Sequence, residues 1–156
     1  MQMSINGRKL LEQWEGVRLI VYKDSANLPT IAVGHLLTSS ERSSGKININ
    51  GEIVEYTNGL TTEQADALLA QDLKPAETTV SNGVKVKLNQ NQFDALVSFT
   101  FNVGGGAFNG STLLKVLNQG EYDQVPSQLI SCDKSAGQVV PGLQNRRNYE
   151  IKLWNT

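Results

Sequence analysis

Apolar residues recur along this chain with two periods, one near 3.6 and one of 2, and each marks its own elements. Ser4 stands ahead of Ile5, Leu11 and Trp14 at roughly helical spacing, and Gly16 closes the segment, so a capped helix is expected over about 4–15. Val17 to Tyr22 and Thr30 to Val33 are β-branched and aromatic runs bounded by turn formers, which predicts paired strands. From Lys46 to Tyr56 apolar and polar residues alternate around Asn50-Gly51, a strong signal for a second small hairpin, with Ser39 to Gly45 ahead of it as a loop. Thr61 and Gln64 then form a capping box in front of Ala65, Leu68, Leu69 and Leu73, a helical stripe that Pro75 kinks or ends early. Asn89 to Gln92 cap a further helix whose stripe is Phe93, Leu96, Val97 and Phe101. Shorter helices are expected from Thr112 to Leu117 and from Tyr122 to Ile130, and a last one from Asn145 to Trp154.

Around the first hairpin the pattern places three residues with chemical use. Eight residues lie between Glu15 and Asp24 and five between Asp24 and Thr30, so a helix end, a turn and a strand start bring two carboxylates and a hydroxyl together. A glycosidase needs one protonated carboxyl for the leaving oxygen and a second carboxylate to activate water or attack the anomeric carbon. Glu15, at a helix C-terminus, meets the negative end of the macrodipole, which disfavours its ionisation, the direction a general acid requires. Asp24 sits in a turn rich in backbone amides and stays ionised, and Thr30 is short enough to fix a water. Each residue alone reads as an ordinary helix end, turn or strand residue; an uncompensated carboxylate at a helix C-terminus has no structural benefit visible in the sequence, and this tips the joint reading to catalysis.

Composition narrows the classes. The chain has 156 residues, 39% hydrophobic and 19% charged, which fits one soluble domain with a real core. With a formal charge of -1 it carries no bulk positive field for nucleic acid, and no run approaches a membrane span. Arg8, Lys9 and Glu12 interrupt the apolar stretch near the N-terminus, so no signal peptide is expected. Cys132 is the only cysteine, which excludes an internal disulfide and reads as packing, and no ligand cluster points to a metal or other cofactor. The run Gly104-Gly105-Gly106 lacks the Gly-Lys-Ser ending of a phosphate loop; after the polar Asn102 it suggests backbone close to a ligand, or else a helix cap.

Glu15-Gly16, Arg18-Leu19, Tyr22-Lys23-Asp24, Thr30-Ile31, Gly34-His35 and Leu36-Leu37-Thr38 together resemble the phage-type lysozymes of glycoside hydrolase family 24, the endolysins or muramidases. The resemblance resumes at Phe99 to Gly104, at Ser111 to Leu114, and at Gly142-Leu143 with Arg146-Arg147, so it spans almost the whole chain. It implies hydrolysis, with inversion, of the bond between N-acetylmuramic acid and N-acetylglucosamine in peptidoglycan. Glu15 would be the acid, with Asp24 and Thr30 positioning the attacking water. It also implies that Leu36, Phe101, Asn102, Ser111 and Gln128 face the sugar, that Arg146 reaches toward Glu15, and that His35 pairs with Asp72. That pairing would raise the His35 pKa. The chain departs from the family's habit at Asn27 and Ala32, where glycine is frequent, and at Ser131 to Lys134, where an aromatic residue often stands.

The fold expected is α+β and lysozyme-like: a small N-terminal lobe with β-structure over about 16–60, a long connecting helix over about 61–80, and a larger helical lobe over about 85–156 onto which helix 4–15 packs. The enzyme would act as a monomer on peptidoglycan strands, without nucleic acid or membrane insertion. The resemblance implies that it waits in the host cytoplasm until a holin permeabilises the membrane, then acts on the periplasmic wall. Two rivals stay open: a lytic transglycosylase, which needs no pair of water-positioning residues, and a catalytically silent wall-binding or tail-structural module.

Overall fold

The structure is a computed structural model that describes residues 1–132, 134–135, 138–139 and 141–156; Asp133, in one of the segments that departs from the family, lies outside them. Contacts divide the chain into two compact units, residues 8–72 and residues 1–7 with 73–156.

The first unit holds a sheet, a hairpin, two whole helices and most of a third. Helix α1 (Ile5–Glu15) enters it from the other unit's share of the chain, capped by Ser4, whose Oγ accepts the Gly7 N–H at 2.9 Å. Leu11 on this helix is fully buried, whereas Ile5 is largely exposed and takes no part in the expected stripe. Strands β1 (Arg18–Lys23), β2 (Pro29–Ala32) and β3 (His35–Leu36) form an antiparallel sheet in that order, with Tyr22 opposite Thr30 and Thr30 opposite Leu36. Strands β4 (Lys46–Ile49) and β5 (Glu52–Glu55) make the expected hairpin, with Asn50 at φ +54 in its turn, a backbone state that asparagine tolerates. Ile31, Ala32, Leu37, Ile47, Ile49, Val54, Tyr56 and Leu60 close on Ala65 and Leu68 of α3 (Thr62–Asp72) to form the core.

Ser39 to Gly45 is not the loop its polar composition suggests. It is helix α2 (Ser39–Ser44), with Thr38 and Glu41 in a reciprocal capping box and Gly45 in the left-handed state at its end. Six polar residues in a row hide a helix from any hydrophobic count; the cap residues are the signal that survives. The helix expected over 61–80 is likewise two. Thr61 and Gln64 cap α3 as expected, but α3 ends at Asp72 and α4 (Lys74–Gly83) starts anew with Pro75 in its first turn. Proline supplies no N–H and fixes φ, so it fits a helix start better than an interior.

In the second unit α5 (Gln90–Val103) is capped by Asn89 and Gln92 and buries Phe93, Leu96 and Val97, with contacts to both α4 and α9 (Pro141–Trp154). Short helices α6 (Gly105–Asn109), α7 (Thr112–Asn118) and α8 (Val125–Ile130) complete it, with a 3-10 turn at Tyr122–Gln124. A two-stranded ladder, β6 (Lys134–Ser135) with β7 (Gln138–Val139), lies between α8 and α9 and was not expected.

Candidate active site

Glu15, Asp24 and Thr30 all belong to the unit of residues 8–72. Glu15 is the last residue of α1 and is exposed; Gly16, at φ +81, turns the chain away from it, as a left-handed residue past a helix end does. A β-carbon placed on Gly34 would lie 3.7 Å from Glu15 Oε2, so the carboxylate stands against the turn between β2 and β3.

Asp24 follows β1 and folds its side chain back on its own loop. Its Oδ1 accepts the N–H groups of Ala26 and Leu28, each at 2.9 Å. The second oxygen, Oδ2, has no protein donor among the described residues. Two amides on one oxygen hold the carboxylate in a fixed direction. Thr30 is only 2% exposed, and its Oγ1 donates to the Leu28 carbonyl at 2.9 Å. With its proton so used, the hydroxyl presents only lone pairs to anything else.

Beside this site, Leu36 lies across the sheet from Thr30 and is 50% exposed. Arg18 lies over the Tyr22 ring at 4.6 Å, on the strand that carries the loop. One turn before Glu15, burial first and then a shared proton with Asp66 push the Glu12 carboxyl up to about 7. Arg8 holds Asp66 at 3.2 Å.

The sequence model of the family described as phage lysozyme matches residues 12–150. This chain belongs to the phage lysozyme family. It is 41% identical to the endolysin of Salmonella phage P22 over 99% of its own length and 98% of that protein's. It is 37% identical to the endolysin of Bacillus phage PZA over its full length, spanning 56% of that longer protein. Its fold matches a crystal structure of a P22 lysozyme mutant with a TM-score of 0.82 at 36% identity, over 100% of this chain and 99% of that one.

For a phage lysozyme the two departures at glycine positions take an instructive form. Asn27 and Ala32 both keep the positive φ that glycine would supply, at +65 and +60. Asparagine does so readily; for alanine it costs roughly 1–2 kcal/mol, which the burial of its methyl group offsets in part.

The remaining site residues expected from the resemblance fall as follows. His35 Nδ1 lies 2.7 Å from Asp72 Oδ2, and Nε2 lies 2.9 Å from Glu41 Oε1, a partner the sequence reading missed. Burial disfavours the charged ring, but the hydrogen bonds and charges of Asp72 and then Glu41 outweigh it and lift the His35 pKa to about 9. In the other unit, Asn102 Oδ1 accepts from Arg147 Nη2 at 2.7 Å. Ser111 uses its hydroxyl to cap α7, donating to the Phe108 carbonyl at 2.6 Å and accepting the Leu114 N–H at 3.1 Å. Phe101 and Gln128 are half-buried on α5 and α8. Arg146 is buried, bonding Glu150 Oε2 at 3.2 Å and the Ser98 carbonyl at 2.8 Å.

Proposed function

We propose that the chain is a peptidoglycan hydrolase of phage-induced lysis that cleaves the β-1,4 bond from N-acetylmuramic acid to N-acetylglucosamine with inversion. Glu15 gives its proton to the leaving oxygen, and Asp24 with Thr30 hold the attacking water. The names of the relatives, endolysins and a lysozyme, support the substrate. The observation that carries the mechanism is the state of the two water-holding groups: both are committed on one side to Leu28, and both offer only acceptors on the other. A water that donates one proton to Asp24 Oδ2 and one to Thr30 Oγ1 keeps a lone pair free for the anomeric carbon, and Asp24 is the base that takes the proton.

Mass spectrometry of peptidoglycan digested in H2 18O tests the reading. Reducing muramic ends carrying one heavy oxygen are expected, together with the α-anomer first in early-time proton NMR. Anhydromuramic ends would mark a transglycosylase, a β-anomer burst a retaining hydrolase, and no products at all a binding module. Glu15→Gln should lower turnover by about 10² to 10⁴-fold with an unchanged circular dichroism spectrum.

A further inference from the structure

Leu28 joins the two groups that hold the water. Its N–H donates to Asp24 Oδ1 at 2.9 Å, and its carbonyl accepts the Thr30 hydroxyl at 2.9 Å and the Asp24 N–H at 3.0 Å. One residue's backbone therefore fixes the carboxylate through its donor and the hydroxyl through its acceptor. For the Leu28 N–H to point back at Asp24, the chain must reverse one residue earlier. Asn27 makes that reversal at φ +65, after its own N–H has closed a turn onto the Asp24 carbonyl at 2.9 Å. The Asn27 side chain is exposed and forms no hydrogen bond among the described residues. Its contribution is its backbone.

We propose that Asn27 is a positioning residue for the hydrolytic water, acting through its left-handed backbone, which keeps Leu28 between Asp24 and Thr30. The proposal rests on the hydrolytic reading above and adds to it the residue that sets the distance between the two groups. Ala26 bonds the same oxygen of Asp24 but, among the described residues, has no link to Thr30.

The order of tolerance for a left-handed residue follows from sterics. Glycine adopts it freely, asparagine readily, alanine at a cost that this same unit accepts at Ala32, and a β-branched residue hardly at all. A role for the amide side chain would give a different order, with glycine and valine equally poor.

The test is the series Asn27→Gly, Asn27→Ala and Asn27→Val, with Asp24→Asn as reference, assayed for kcat and KM on soluble glycan fragments. Amide hydrogen exchange at Ala26 and Leu28 is measured on the same proteins. Expected are near wild-type turnover for the glycine variant, an intermediate value for alanine, and a loss of about 10²-fold in kcat with little change in KM for valine, since a misplacement of an ångström has that order of effect. The Leu28 amide should lose protection in the same order. A glycine variant as slow as the valine variant overturns the proposal, because the amide then matters. So does a valine variant at wild-type rate beside an inactive Asp24→Asn. Full activity of Asp24→Asn removes the hydrolytic reading itself, and the proposal with it, and is told apart by that variant alone.

Discussion

His35 stands between two carboxylates, Asp72 at 2.7 Å on Nδ1 and Glu41 at 2.9 Å on Nε2. The ring ties β3 to the end of α3 and to the first turn of α2 at once. Because Glu41 also closes the capping box of α2 through Thr38, losing the imidazolium would weaken a helix that buries none of its residues.

The sign of the pH dependence follows from the raised pKa. A histidine with a folded value of about 9 binds its proton more tightly folded than unfolded, so its stabilisation is complete below the unfolded value of 6.5 and is lost as pH rises through about 9. His35→Asn should cost about 2–4 kcal/mol at pH 6 and clearly less at pH 10.5, read from urea midpoints. Glu41→Gln should move the fading to lower pH, because only Asp72 then holds the charge. An equal penalty for His35→Asn at both pH values would mean that packing holds His35.

Glu12 carries the opposite lesson for a carboxyl. Burial and the neighbouring Asp66 lift it to about 7 from 4.5, so its contribution is fully present below 4.5 and is lost as pH rises through about 7. Above that range Glu12 on α1 and Asp66 on α3 are like charges, relieved by Arg8 and Lys9. Glu12→Gln should therefore leave the thermal midpoint nearly unchanged at pH 4 and raise it relative to wild type at pH 8. A midpoint lowered at pH 8 would show that the ionised carboxylate is held by a partner instead.

How much of this was legible in the sequence depended on whether the signal was local. Ser4, Asn89 and the Thr61 to Gln64 box announced three helix starts, because a cap is a contact within four residues. The Asn50-Gly51 turn announced its hairpin for the same reason. The elements that carry Glu15, Asp24 and Thr30, the residues proposed for the chemistry, were legible because a helix end, a turn and a strand each left a mark. Helix α2 was missed since its residues are all polar, and Glu41 was missed with it. Leu28 escaped notice for a different cause: its part is played by backbone, which every residue has, and only φ at Asn27 reveals it.

The hairpin of β4 and β5 offers a test of a side chain that acts on backbone alone. Gln71 on α3 accepts the Asn50 N–H at 2.8 Å and donates to the Asn48 carbonyl at 2.9 Å, gripping the end of β4 and the turn residue after it with one amide. Each such bond is worth about 0.5–1.5 kcal/mol net, and the site is exposed, so Gln71→Ala should cost roughly 1 kcal/mol. The specific readout is amide exchange at Asn50, which should speed up while Ile47 and Val54 stay protected. Faster exchange along the whole hairpin would mean that Gln71 holds up the pairing itself rather than its turn.

Gly34 bears on Glu15, the proposed acid. It has φ +70, and a methyl group there would come to 3.7 Å from Glu15 Oε2, an ordinary contact that removes water from one side of the carboxylate. Gly34→Ala should thus act twice. The left-handed backbone costs roughly 1–2 kcal/mol in stability for a residue with a β-carbon. The displaced water disfavours the charged form of Glu15, so its pKa should rise and the enzyme should keep its proton to higher pH. The alkaline limb of the pH profile of kcat should then move upward while the acid limb, set by the group that must be ionised, stays in place. Thermal melts and a pH profile on soluble glycan separate the two effects: a lower midpoint with both limbs unmoved would show that Glu15 keeps its hydration and that only backbone strain was added.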